Sequence, residues 1–122
     1  MSWNLDSDRP IYLQIVERLK MDIISGVYTP GQKLPSVREF AMEASVNPNT
    51  MQRALTELER DGLVFSQRTS GRFITEDVTL MKEIKIELAS EQIKEFLKHM
   101  ELLGFKKEET IALIHTISEG GK

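Results

Sequence analysis

With 122 residues, the chain has room for one ordinary domain, or for a small domain with an extension. Apolar residues make up 40%, which suits a packed core rather than disorder, and the absence of cysteine excludes disulfides and thiolate metal sites. No apolar run approaches the roughly 18 residues of a membrane span, and the start of the chain lacks a basic-then-apolar signal pattern, so a soluble, cytoplasmic protein is expected.

Residues 1–9, MSWNLDSDR, are polar with one tryptophan. Trp3 and Leu5 either dock on the first helix or on a partner chain, or belong to a loosely held arm. Pro10 opens a helix pattern running to about Ser25, with Ile11, Ile15, Leu19, Ile23 and Ile24 on its apolar face and Tyr12 and Val16 beside them. Gly26 ends it. Val27 to Leu34 reads as an extended link with a Pro30-Gly31 turn, and Leu34 is placed as a short third strand beside the hairpin that follows.

Two short helix patterns come next. Ser36 and Glu39 have capping-box spacing, and Val37, Phe40 and Ala41 form an apolar stripe. Ala44 is small enough for close helix approach at the turn Ser45-Val46-Asn47. Asn47 then caps a second helix whose first position is Pro48, where no amide partner is lost. Met51, Ala54, Leu55 and Leu58 face inward, and Gly62 is the left-handed stop. The outward first turn carries Asn47, Asn49, Thr50, Gln52 and Arg53. A merely solvated face would favour Glu and Lys. Asn and Gln can pair bidentately with adenine, and Arg with guanine.

An apolar hairpin follows, with arms Leu63 to Gln67 and Arg72 to Thr75 around the basic tip Arg68-Thr69-Ser70-Gly71. Such a tip can follow a phosphate backbone or enter a minor groove. The order helix, turn, helix, wing is a layout for placing a helix in the major groove.

The motifs P-I-Y-x-Q-I, G-x-x-x-P-G-x-x-L-P-S-x-R-x-x-A and N-P-N-T-x-x-R-A-x-x-x-L-E-x-x-G occur in order over about 65 residues, from Pro10 to Ile74. On these the chain resembles the winged-helix domain of GntR-type bacterial transcription regulators, and the V-N-P-N-T form and short tail resemble the YtrA-type branch. The resemblance implies DNA contacts at Arg38, at the first turn of the recognition helix from Asn47 to Arg53, and at the wing glycine Gly71. It also implies a repressor, often of transporter operons. The chain departs from the family at Thr69, which replaces the first glycine of the usual R-G-x-G-x-F-V wing. It departs again at Pro48 and Gln52, where the wider family often has Arg, so an operator sequence does not carry over. The DNA-facing set is then Ser36, Arg38, Asn47, Asn49, Thr50, Gln52, Arg53, Arg68, Ser70, Gly71 and Arg72.

A boundary is placed at Glu76-Asp77. Beyond it the pattern is helical from Asp77 to Leu103, broken at Gly104, with Phe105 folding back, then helical again from Lys106 to Ser118. Gly120-Gly121-Lys122 reads as a frayed end. Two helices alone cannot bury Leu80, Met81, Ile84, Leu88, Ile93, Phe96, Leu97, Met100 and Leu103 together with Ile111, Ile114 and Ile117. Each such side chain gains roughly 1.5–3 kcal/mol on burial, so pairing with a second copy is expected. Folding back on the winged domain is the competing arrangement.

The net charge of −3 counts against a DNA binder only if charge is evenly spread. Along the contact segments Lys33, Arg38, Arg53, Arg68 and Arg72 face only Glu39 and Glu43. So few cations make a weak monomer, since each neutralised phosphate supplies part of the affinity, and tight binding then needs two copies. Glu95 and His99 share a helix face at metal-ligand spacing, with Glu91 on the same row, but the interspersed Lys94 and Lys98 fit a solvated face better. No catalytic triad, phosphate loop or glycine fingerprint is present.

The expected fold is mainly α with a small β-hairpin wing. A winged helix-turn-helix DNA-binding domain (1–76) precedes a two-helix dimerisation tail (77–122). The expected function is that of a non-enzymatic regulator binding a palindromic DNA operator as a homodimer, without cofactor or metal. A winged-helix protein-interaction module is the alternative. A tail of this size leaves little room for an enclosed cavity. Any small-molecule effector would bind at the dimer interface or between the tail and the winged domain.

Overall fold

Helices leave backbone groups open at both ends, and here the flanking residues close them. The computed structural model describes residues 3–120. Helix α1 spans Ile11–Ser25 and ends at Gly26, whose φ of 91° lets the following amide, that of Val27, reach back to Asp22 O at 2.8 Å. Helix α2 spans Val37–Ala44 with the capping box in place: Glu39 N donates to Ser36 Oγ at 3.2 Å, and Ser36 N donates to Glu39 Oε1 at 3.0 Å. Helix α3 spans Pro48–Arg60, with Asn47 Oδ1 accepting from Asn49 N at 2.7 Å and Pro48 in the first turn.

The turn between α2 and α3 holds a feature the sequence hid. Ser45 adopts φ 57°, ψ 47° and is the one non-glycine with positive φ among the described residues. In that conformation Val46 N reaches Ala41 O at 3.0 Å, which closes α2 as a glycine would. A left-handed serine costs roughly 1–2 kcal/mol, which the packing of α2 on α3 offsets.

Ile15, Leu19 and Ile23 of α1, Phe40 and Ala41 of α2, and Met51, Ala54, Leu55 and Leu58 of α3 are fully or almost fully buried. The alanines matter because α3 packs on both α1 and α2, and small side chains allow the close approach. Trp3 joins this core. It is 8% exposed and meets Phe40 edge-on, with centroids 6.0 Å apart. Of the three arrangements left open for the N-terminal segment, docking on the chain's own fold is the one found. Gln14, itself buried, fixes the segment by accepting from Asp6 N and donating to Asp6 O and Arg9 O at 2.7–3.0 Å.

Strands β1 (Val64–Gln67) and β2 (Gly71–Ile74) pair antiparallel in the register Val64 to Ile74 and Gln67 to Gly71. Val64 and Ile74 enter the core, while Phe65 and Phe73 stack 5.8 Å apart on the outer face. The expected third strand is reduced to a single bridge between Lys33 and Phe73. Leu34 N donates to Arg72 O, and Ile74 N to Gln32 O, both at 2.9 Å. The Pro30-Gly31 turn shortens the strand here, since Gly31, at φ 80°, turns the chain directly beside the hairpin.

Helix α4 spans Val78–Leu102, and Asp77 Oδ1 accepts from Leu80 N at 3.0 Å at its start. Helix α5 spans Lys107–Gly120, so Gly120 belongs to the helix, while the frayed end expected at Gly121 and Lys122 lies outside the described residues. Gly104 (φ 97°) separates the two helices, and Phe105 N folds back onto Met100 O at 3.0 Å.

Packing divides the chain into two compact units, one ending at Ile84 and one beginning at Lys85. The change of residue pattern at Glu76-Asp77 therefore marks where α4 starts, and the division of packing falls inside α4. Ile84 is buried, and Leu80 lies so close to Gly62 that a Cβ there would sit 3.0 Å from Leu80 Cδ2. In the second unit Thr110 is the one buried residue among those described. Among the described residues, no helix is long and apolar enough to cross a membrane.

Candidate nucleic-acid interface

Ion pairing sorts the cations of the winged unit into two groups. Arg9 pairs with Glu17, Arg18 with Asp22, Lys20 with Asp61, Arg60 with Glu57, and Arg72 with Glu59. Among the described residues before α4, the cations in no ion pair are Lys33, Arg38, Arg53 and Arg68. All four lie on the segments expected to meet DNA: the entry to α2, α2 itself, the start of α3 and the wing tip. The net charge of the chain is thus a poor guide to its field. Before α4, acids neutralise the cations away from this surface and leave four of the five on it available to phosphate.

Arg72, the fifth cation on these segments, is ion-paired. Its side chain is 18% exposed, and its Nε faces Glu59 Oε1 at 3.5 Å. Ser66 Oγ donates to the other oxygen of the same carboxylate. Glu59 of α3 therefore clasps both strands of the wing, a role that sequence spacing does not reveal because the partners are far apart in the chain.

The expected site residues gather in two places. Asn49, Thr50 and Arg53 line a cleft of about 320 Å³ with Ile11 and Tyr12 of α1. The Arg53 guanidinium lies over the Tyr12 ring, with Cζ 3.7 Å from the ring centroid. Ser36, Ser70, Gly71 and Arg72 line a groove of about 440 Å³ between the start of α2 and the wing, together with Lys33, Glu39 and Thr69. Arg38, Gln52 and Arg68 are exposed outside both. Gln52 Nε2 donates to Thr56 Oγ1 at 3.4 Å. Asn47 is exposed, but its side-chain oxygen is committed to the cap.

The wing tip explains the missing glycine. Ser70 N donates to Gln67 O at 3.2 Å, closing a turn over Gln67 to Ser70, and Gly71 follows at φ 109°. The one positive φ of this turn falls on Gly71, which glycine adopts without strain, and Thr69 sits where φ is negative. A Cβ on Gly71 would also lie 3.2 Å from Lys33 Cε, which shows how closely the lysine stem crosses the wing.

Glu39 points into the same groove. Its pKa is held below the ordinary carboxylate value, first by the Ser36 amide and then by the Ser36 hydroxyl, with Lys33 adding to the effect. Among the described residues, no three His, Asp, Glu or Cys side chains converge for a metal.

Tyr12 and Lys33 are among the members of these clusters that the expected set left out. Tyr12 read as part of the α1 core stripe, and no local pattern links it to Arg53. Lys33 was legible as a cation on the contact segments, but its crossing of Gly71 was not.

Residues 11–74 match the model of the bacterial regulatory proteins of the gntR family. The chain is 43% identical over 121 residues to the HTH-type transcriptional regulator YhcF of Bacillus subtilis, covering 99% of this chain and all of the relative. It is 38% identical to the HTH-type transcriptional repressor YtrA of the same organism, covering 95% of this chain and 92% of the relative. Among solved structures, a GntR family transcriptional regulator from Listeria monocytogenes superposes with a TM-score of 0.84 at 38% identity, covering 92% of this chain and 98% of that one. The AraR DNA-binding domain, solved in complex with operator ORX1, superposes with a TM-score of 0.55 at 26% identity, covering 62% of this chain and 95% of that domain.

Proposed function

Because this chain belongs to the gntR family of bacterial regulatory proteins and is a DNA-binding transcription regulator, we propose that it is a homodimeric cytoplasmic repressor of a palindromic operator. The observation that carries the reading is the segregation of charge, with Lys33, Arg38, Arg53 and Arg68 left out of ion pairs on one set of segments. In this reading residues 1–76 are the reading head. The first turn of α3 enters the major groove, where Asn49, Thr50, Gln52 and Arg53 meet base edges. Arg38, Ser36 and the Asn47 end of α3 meet phosphate. The wing residues Arg68, Ser70 and Gly71 follow the flanking backbone, with Arg72 beside them held by Glu59.

Residues 77–122 join two copies. Support comes from the apolar side chains that one chain leaves in water. Ile86, Ile93, Phe96, Ile111, Ile114 and Ile117 are all exposed, a burden a single soluble chain rarely carries. A twofold pairing of tails would cover them and set the two α3 helices about 34 Å apart, or a multiple of that distance. The protein acts by occupying a promoter, with no chemical step. Any effector would sit at the interface between tails.

A gel shift with the duplex upstream of the protein's own gene tests the reading. A dimer should retard that duplex and protect two symmetric half-sites. Retention of a protein partner with no DNA affinity would favour an interaction module instead.

A further inference from the structure

Tyr12 belongs to α1, yet its ring lies in the cleft where α3 presents Asn49, Thr50 and Arg53. With Cζ of Arg53 3.7 Å from the ring centroid, the guanidinium rests on the ring face at van der Waals contact. Arg53 makes no ion pair among the described residues, and its side chain is exposed. A guanidinium has two distinct aspects: a flat face that stacks, and an edge that carries its N–H donors as a rigid fork. Stacking uses the face alone. The fork stays available for the two acceptors that guanine shows in the major groove.

We infer that Tyr12 is a positioning residue for base reading. Its ring holds the plane of the Arg53 fork, so that discrimination by Arg53 depends on α1 as well as on α3. The inference rests on the reading of α3 as the recognition helix. Without the ring, Arg53 would sample several rotamers, and binding would have to remove that freedom before the fork could engage. The phenol oxygen has no part in the contact, so phenylalanine preserves the function, whereas leucine fills space without a π face.

The test uses the full chain as wild type, Tyr12→Phe, Tyr12→Leu, Arg53→Ala and the double variant Tyr12→Leu/Arg53→Ala. Duplexes are selected from a randomised pool by the wild type. Affinities for the selected duplex and its single base-pair derivatives then follow for every variant. Tyr12→Leu is expected to lower, by about two- to fivefold, the preference for the base pair whose preference Arg53→Ala abolishes. Preferences elsewhere and the salt dependence stay unchanged. Tyr12→Phe should match the wild type, and Tyr12→Leu should add nothing on the Arg53→Ala background. Unchanged discrimination in Tyr12→Leu, tighter binding, an equal loss at every position, or a Tyr12→Phe as impaired as Tyr12→Leu would each overturn the inference.

Should Tyr12→Leu fail to fold, proton NMR of the free chain decides. Arg53 side-chain protons should show an upfield ring-current shift in wild type and Tyr12→Phe, and its absence overturns the contact. A wild type that enriches no sequence would instead remove the function on which the inference rests. That result is distinct from a selective wild type with an indifferent Tyr12→Leu, which overturns the inference alone.

Discussion

Replacing Arg38 by alanine should flatten the salt dependence of operator binding by a calculable amount. On its DNA-facing segments each winged unit leaves Lys33, Arg38, Arg53 and Arg68 outside ion pairs. Arg53 is assigned to a base, so three cations per protomer and six per dimer remain for phosphate. At about −0.9 per neutralised phosphate, log K should fall against log salt with a slope of about −5.4, and Arg38→Ala, which removes two, should bring it to about −3.6. Between roughly 50 and 200 mM salt the wild type would lose about 1,800-fold in affinity and the variant about 150-fold. Fluorescence anisotropy on a labelled palindromic duplex across that range reads both slopes. Arg60→Ala is the control, because Arg60 Nη1 already pairs with Glu57 Oε1 at 2.6 Å, and its slope should match the wild type. An unchanged slope for Arg38→Ala, or an equal flattening by Arg60→Ala, would refute the idea that ion pairing sorts the contact cations from the rest.

Other substitutions probe the remaining parts. Glu59→Gln should release Arg72 toward phosphate and steepen the slope by about 0.9 per protomer, while the partly buried pair it breaks contributes about 1 kcal/mol or less to stability, read by thermal unfolding. Ile93→Ala removes about three carbons from a side chain that is 57% exposed in one chain. At about 0.8 kcal/mol per buried carbon, roughly half recovered, the loss is about 1.2 kcal/mol per protomer, or about 2.4 kcal/mol across a twofold interface. The dimer dissociation constant should therefore rise about 60-fold in sedimentation equilibrium. Glu39 has a folded-state pKa below its unfolded value. Its contribution is thus present above the unfolded pKa and lost as pH falls through the folded one. Glu39→Gln should accordingly make thermal stability less dependent on pH in the acid range, and an unaltered acid limb would contradict the capping geometry.

What the sequence makes legible here is local. The capping box at Ser36 and Glu39, the Asn47-Pro48 start and the Gly26, Gly62 and Gly104 stops each involve residues within a few positions, and periodicity alone placed Met51, Ala54, Leu55 and Leu58 in the core. The features that stayed hidden are pairings between distant segments. The clasp of Glu59 on Ser66 and Arg72, the seat of Arg53 on Tyr12 and the burial of Trp3 against Phe40 depend on how α1, α3 and the hairpin meet. Ser45 was hidden for a different reason. Its left-handed backbone is imposed by packing against the residue's own preference, so composition points away from it. Thr69 gives the converse lesson. It departs from the family motif, yet the turn places the whole conformational requirement on Gly71.

The central claim is that two reading heads, each too sparsely cationic to hold DNA alone, act as one molecule through their tails. Sedimentation velocity of the full chain, alone and with its selected palindromic duplex, tests this most directly. The account predicts a dimer in the free protein and two protomers per duplex at saturation. A chain that sediments as a monomer at working concentration, and still binds the palindrome tightly as a single copy, would contradict it.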